Sequence, residues 1–534
     1  MIAVSNGWKA AHGQTLLPEM FVKITYTATE PGLQQLAEIS GNYAEADSDV
    51  GAVVSVEKEV GSKYSMLDYG SWGLDGSYDY RDSTYVDPLY VDRNYSSDDG
   101  SMSTYPTLTI EFDEIRDVSI PGLTITWDDV FNGWATDFRV TAYNGNTMVA
   151  RKTVTGNTNI TSAVWMDMVG YNRVTVEVLK WSHPYQRVRC SDIRMGIQTI
   201  YTKTDLMSYD HSQFVDLLSA ELPKNTISFS LRNDDGRWNP DNPTGSEQYL
   251  LERQEIQVQY GMDVNGHTEW IKGGTFWLSE WSTPSNGMEA TFTARDAVEF
   301  MVGIYTGPRI GTLYDIAVAA LEQADLPVLD DGSPRYVVDT SLQDITTDFT
   351  GDDEYSIAEM LQMVAHAACC VFYQDRDGVI HIEPRSTRYS GYVIDKNVSY
   401  AHPEYTINKP LKAVSVTYGE ETALVEVSTR GEVQTVDNPL IITEADALKV
   451  GGVAAELLKN RKVISGEFRA DVRLDALDNI VVTSKYASNV IQITDIKYST
   501  TGGAFKGAYT GRVVSVDLDS VQWYTNEIYV GEVD

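Results

Sequence analysis

Residues 219–243, SAELPKNTISFSLRNDDGRWNPDNP, join a strand to a loop that closes on itself. Across Thr226–Arg232, polar and apolar side chains alternate, and Ile227, Phe229 and Leu231 share one face. That is the two-residue period of a half-buried strand. Asn233–Asn242 then gathers Asn, Asp, Gly and Pro, which turn the chain through side-chain hydrogen bonds or a fixed φ. Pro240 and Pro243 stiffen the excursion. The loop is also dense in oxygen atoms, so a calcium loop is the alternative to Asx side chains bonding their own backbone.

The same grammar extends in both directions. Asn-Gly begins at positions 6, 132, 144, 265 and 286, and Asp-Gly at 75, 99, 235, 331 and 377. Both dipeptides favour the positive φ of tight hairpins. Between them run alternating segments: Met20–Thr27, Thr107–Phe112, Phe138–Tyr143, Val174–Leu179 and Ile256–Tyr260. Three helices interrupt the strands. Thr312–Asp325 carries an apolar stripe. Ser356 with Glu359 makes a capping box before Ile357, Met360, Leu361 and Val364. Glu444–Arg461 is the third, and Gly451-Gly452 inside it predicts a break or kink. The fold class is mainly β with minor α, in several domains, as a chain of 534 residues requires.

Composition narrows the function. With 42% hydrophobic and 22% charged residues the chain can bury several cores. A net charge of −36 argues against nucleic-acid binding through a basic face. It is compatible with a conduit whose acidic wall repels phosphate. Cys190, Cys369 and Cys370 offer neither a disulfide framework nor a CxxC pair, which fits folding in a reducing cytoplasm. No 18-residue apolar run and no signal-peptide pattern are present. The 32 Tyr and 11 Trp suit strand faces and interfaces.

Catalytic signatures are missing from the sequence. The seven histidines include no i, i+4 pair, there is no G-x-S-x-G elbow, and Gly261–Gly266 lacks the lysine of a phosphate loop and reads as a hairpin. Adjacent acids at 128–129, 234–235 and 352–353 are not distinguished as a glycosidase pair. Asp375-Arg-Asp-Gly378 reads as a turn, because a strand and not a helix follows. No catalytic residue, cofactor or metal ligand is assigned.

The quoted stretch 219–243 resembles tail proteins of phages of Gram-positive bacteria, with a leucine-proline-x-asparagine-threonine strand and an Asn-Asp-Gly-aromatic-Asn-Pro loop. Tyr355–Asp377 and its return strand ending at Glu383-Pro384 resemble the helix-then-hairpin of the same family, and Asp475–Ser499 its late barrel. The resemblance implies a baseplate-hub or tail-tip subunit with two related β-barrels. It implies a homo-oligomer, a trimer by analogy with contractile-tail hubs, whose ring passes DNA through its lumen without specific binding. Distal-tail or tube proteins and tail fibre, spike or tape-measure proteins are the implied partners. The implied location is the tail tip of a virion assembled in the bacterial host cytoplasm. Residues 106–200 resemble galactose-binding-like jelly rolls, carried by Leu108–Phe112, Thr136–Tyr143 and Arg187–Gly196. That resemblance implies host cell-wall glycan as a ligand, with Trp127, Trp134, Trp165, Trp181 and Tyr185 as candidate contacts; core filling is the competing role for these rings. The expected division is 1–60, the start of the first hub β domain; 61–105, a loop-rich connector; 106–200, an inserted β-sandwich; 201–305, the rest of the first hub barrel; 306–385, an α+β domain; and 386–534, a second hub barrel with a helix. The expected function is a non-enzymatic hub, with a glycan-binding tail protein as the alternative and a glycan hydrolase a third.

Overall fold

The computed structural model describes residues 1–14, 19–41, 90–128, 132–242, 246–283, 287–329, 333–351, 353–387, 389–501 and 504–514. The connector expected at 61–105 lies outside the described residues up to position 89, as do Asn286 and the chain after 514. The fold is mainly β, with four α-helices and several sheets among the described residues.

One 13-stranded sheet dominates. Along it run Ile197–Tyr201, Met20–Ala28, Glu255–Val264, His267–Ser282, Glu289–Arg295, Lys224–Arg232 and Leu206–Phe214. The sheet then passes to Ser488–Thr501, Ala504–Val513, Lys462–Arg469 and Glu404–Ile407, while Asn479–Thr483 pairs with Ser488–Thr501 and, on its other side, with Tyr389–Ile394. Barrels were expected. Among the described residues no ring of strands closes; two β units share one continuous ladder instead. Alternate side chains of both units, from Ile24 and Val258 to Ile464 and Ile493, meet in one buried cluster. The turn signals explain several hairpins. Asn265 (φ 56°) and Gly266 (φ 87°) form the two-residue turn between Glu255–Val264 and His267–Ser282.

The chain leaves this sheet after Ala28. Glu38–Gly41 already pairs with Thr107–Arg116. A five-stranded sheet (Glu38–Gly41, Thr107–Arg116, Tyr171–Trp181, Ala135–Asn144, Thr147–Val154) faces a four-stranded one (Tyr90–Tyr95, Arg187–Met195, Ile120–Trp127, Thr161–Met168). Together they enclose a core of their own, the arrangement of a β-sandwich. The return comes at Gly196, and Ile197 lies opposite Ala28. With φ at 103°, a Cβ on Gly196 would fall 2.4 Å from the Ala28 carbonyl oxygen. Only glycine lets the incoming and outgoing strands cross this closely.

A third core lies beside the sheet. Helices Leu313–Gln323, Ile357–Ala368 and Glu444–Lys459 pack with the hairpin Cys370–Gln374/Ile380–Pro384 and with the small sheet of Leu411–Tyr418, Glu421–Glu426 and Glu432–Val436. Ala447, Val450, Ala454 and Ala455 of Glu444–Lys459 belong to this cluster, while Leu457 packs with Leu217, Val490 and Val514. The capping box at Ser356 forms as read, with both reciprocal hydrogen bonds made. No break occurs at Gly451-Gly452: Glu444–Lys459 is one continuous helix. Asn6-Gly7 is not a hairpin turn either. Ser5 accepts from the Trp8 N–H and caps helix Asn6–His12 over the pair.

Candidate functional site

For a chain whose sequence assigns no catalytic residue, the site of interest is the seam joining the two β units. Ser208 through Phe214 lie opposite Thr501 through Asp495 in antiparallel register. Period-two alternation turns Tyr209 and His211 inward on one strand, and Tyr498 inward on its partner. Tyr260 completes the group, and all four side chains are 0–1% exposed.

Buried polar groups must be paired. Asn225 Oδ1 is an acceptor, 2.8 Å from His211 Nε2. His211 therefore carries its proton on Nε2, and Nδ1 accepts from the Tyr260 hydroxyl at 2.7 Å. The Tyr260 oxygen in turn accepts from Tyr209 at 2.8 Å. Tyr498 donates toward the carbonyls of Asp471 and Leu474, each at 2.8 Å. Burial pushes the His211 pKa down to about 4, and Arg376 adds to the effect; the ring is neutral near pH 7. This network welds strands together and offers no open face to a substrate.

Arg376, in the Asp375–Gly378 turn, pins the third core to the seam. It is 6% exposed. Its Nε donates to both oxygens of Asp475 (2.9 and 3.0 Å), its NH1 to Lys272 O (2.7 Å) and its NH2 to Val472 O (2.7 Å) and Leu474 O (3.2 Å). Asp377 pairs with the Lys272 ammonium. A single guanidinium fork thus ties the hairpin to the first β unit at Lys272 and to the second at 472–475. The N-terminal segment makes a parallel link: Ile2 N–H donates to Arg473 O at 2.9 Å, and His12 Nε2 lies 3.1 Å from Ala470 O.

Asp296 lies beside the seam, at the start of the short helical turn Ala297–Phe300. It is 3% exposed, and its Oδ2 has no hydrogen-bond partner among the described residues. Burial pushes its carboxyl up to about 7.

The loop Asn233–Asn242 has a packing role. Asn233 Oδ1 accepts from Trp238 N–H (3.0 Å), and Asn239 Oδ1 from Asp241 N–H (2.9 Å). These bonds fold Trp238 back against Phe292, with ring centroids 5.1 Å apart, so the loop plugs the core of the first β unit. Two of its side-chain oxygens thus serve the loop backbone, as Asx turns require. Among the described residues no group of three or more His, Cys, Asp or Glu is placed to hold a metal ion.

The five aromatic candidates of the sandwich separate by burial. Trp127 and Trp181 are 0% and 1% exposed. They pack edge-to-face 6.0 Å apart, with Phe138 on the other side of Trp127. Trp134 is half-buried, edge-on to His183 at 5.8 Å, and donates to Asn157 O. Trp165 (51%) and Tyr185 (53%) face solvent. Trp165 lies on strand Thr161–Met168 and Tyr185 in the 182–186 connection. The five are not brought together on one surface.

Sequence reading singled out the Asp375–Gly378 turn but not its arginine. The only signal was an Arg between two Asp in a turn, and that pattern is ordinarily a solvated surface.

No family model and no curated protein matches the chain. Phage and prophage tail proteins, and a type VI secretion component, are among the solved structures it is similar to. The 43 kDa tail protein of prophage MuSo2 from Shewanella oneidensis shares 13% identity, over 59% of this chain and 95% of that one, with a TM-score of 0.41. A tail protein from Neisseria meningitidis MC58 shares 10%, over 60% and 94%, also at 0.41. The prophage tail protein gp18 of Listeria monocytogenes EGD-e shares 11%, over 58% and 91%, at 0.39.

Proposed function

We propose that this chain is a non-enzymatic structural subunit of a phage-type tail, at the baseplate hub or tail tip, whose copies close around an axis to cap or extend the tail tube and let DNA pass. The observation that carries this reading is the seam: two β units placed edge to edge in one ladder and locked by Arg376 and the His211 network. Such a junction suits a load-bearing ring segment, because each unit can offer a face to a neighbour while their relation stays fixed. The net charge of −36 supports a bore that does not hold DNA. Electron microscopy of the purified chain and of intact particles tests it. The expected images show a closed ring at the tail tip with an open axis. A monomer by light scattering, absent from particles, would end the reading.

The exposure of Trp165 and Tyr185 favours a second reading, a tail protein gripping cell-wall glycan through the sandwich. Trp165→Ala and Tyr185→Ala would then weaken sedimentation with purified host cell wall. Pull-down that is unchanged in both variants, or never seen with the parent, discards it.

A further inference from the structure

Where the chain crosses into the sandwich and back, it leaves a cleft of about 320 Å³. Its floor is the outgoing segment Thr29–Gln34 and the returning Arg194 and Met195. The opposite wall comes from Trp277, the turn Ala297–Met301 and the residues after helix Leu313–Gln323.

Two guanidinium–aromatic pairs line it, and they differ. Arg335 lies 5.6 Å from the Trp277 ring, is 6% exposed, and donates to Glu255 at 3.3 Å. Its Nε is buried without a hydrogen-bond partner. Arg253 lies 5.2 Å from the Phe300 ring, is exposed, and has no carboxylate within ion-pair distance among the described residues. Its φ is 66°, a left-handed conformation that a non-glycine residue adopts at a cost and that collects at functional positions. Thr29 Oγ1 and Glu30 Oε2, in the floor, are also buried without partners.

The charges decide what such a cleft would accept. A chain of net charge −36 repels anions unless a cation is left available locally; of the three arginines in this lining, Arg194 pairs with Asp192 and Arg335 with Glu255, which leaves Arg253. Of the acids in the wall, Glu255 is taken by Arg335, Asp325 sits exposed at the rim, and Glu30 lies in the floor under the opposing charge of Arg116. The available charge is the Arg253 guanidinium, beside an aromatic wall.

We propose that this cleft binds an apolar carboxylic acid, its apolar body against Trp277 and Phe300 and its carboxylate on Arg253. The chemistry is shared by a free aromatic acid and by a polypeptide carboxyl terminus ending in an apolar residue. Because both crossing segments form the floor, an occupant touches the sandwich hinge and the third core at once, and would stiffen the sandwich against the rest of the molecule.

Titration calorimetry of the full chain with N-acetylphenylalanine, its C-terminal amide and 3-phenylpropionate tests this. Both acids should bind at one site, and the amide about tenfold more weakly or worse, since a charge-assisted hydrogen bond is lost. Arg253→Gly suits the left-handed backbone, so it should keep its melting temperature while losing about ten- to hundredfold in affinity for the acids. Phe300→Ala should weaken both acids and the amide alike. Tighter binding of N-acetylphenylalanine than of 3-phenylpropionate points to a chain terminus, and the reverse order to a free acid. Absence of saturable binding at millimolar concentration, equal affinity for acid and amide, or an Arg253→Gly variant with parental affinity overturns the site.

Discussion

Replacing Arg376 by Ala takes the donors away from Lys272 O, Val472 O and Leu474 O and leaves the Asp475 carboxylate unpaired by it. Breaking a buried pair from one side costs roughly 3–5 kcal/mol, and the partial exposure of Asp475 puts this case near the lower end. Arg376→Lys keeps the charge but not the planar fork, and should recover only part of the loss. Urea unfolding of both variants checks the order. His211 and Asp296 make opposite predictions about pH. His211 titrates near 4 when folded and near 6.5 when unfolded, so the unfolded chain binds more protons between those values and stability rises with pH there. Asp296 titrates near 7 when folded and near 3.8 when unfolded; the folded chain binds the extra proton, and stability falls as pH rises across that window. In the parent the two slopes oppose each other between about pH 4 and 6.5. Relative to the parent, His211→Gln should therefore lose stability as pH rises through this range, and Asp296→Asn should gain it. Urea midpoints at pH 4.5, 5.5 and 6.5 decide; parallel profiles in both variants would refute the assignment. Neither residue could be assigned such a role from sequence, because burial of a polar side chain depends on what lies across the sheet. The same limit applied to Trp127 and Trp181, whose composition suits a sugar platform as well as a core.

Elements with their signals written locally were legible. Thr312 caps Leu313–Gln323, Ser356 and Glu359 form their box, and the alternation of Ile227, Phe229 and Leu231 marks a strand. Where the signal was local but the decision tertiary, the reading failed. Gly451-Gly452 weakens a helix in isolation by about 1 kcal/mol per residue, which predicts a break. In the structure the helix instead needs the first glycine in order to lie on its sheet. A Cβ on Gly451 would come 2.8 Å from Val425 Cγ2 and 3.2 Å from Val416 Cγ2, while one on Gly452 would meet nothing within 4 Å. The two glycines therefore separate experimentally. Gly451→Ala should cost about 1–3 kcal/mol by overpacking, and Gly452→Ala should gain up to about 1 kcal/mol from helix propensity. Thermal denaturation of the pair checks the sign. Equal shifts would mean the helix does not approach the Leu411–Tyr418/Glu421–Glu426 strands as closely as it does here.

At the scale of the whole molecule the mainly β class was readable from turn dipeptides and alternation, but the large sheet was not. Its pairings join residues far apart in the chain, such as Ile24 with Tyr201 and His211 with Tyr498, and a two-residue period says which face is buried without naming the neighbour. The same long-range pairing makes the sandwich separable. It departs after Ala28 and returns at Ile197, directly opposite in register, and it has a hydrophobic core of its own. Excising residues 30–196 and joining Thr29 to Ile197 through a short Gly/Asn turn closes Met20–Ala28 and Ile197–Tyr201 into a hairpin of the kind the sheet already contains. Loop-closure entropy changes only slowly with length, so the shorter connection should not disfavour the fold. The excised protein should keep a cooperative thermal transition and the strand signature in circular dichroism. If the seam and the faces flanking it carry assembly, its subunit count by light scattering should equal that of the full chain. Retained folding with loss of oligomers would assign assembly to the sandwich instead, and the ring would then have to be built on that domain rather than on the two β units.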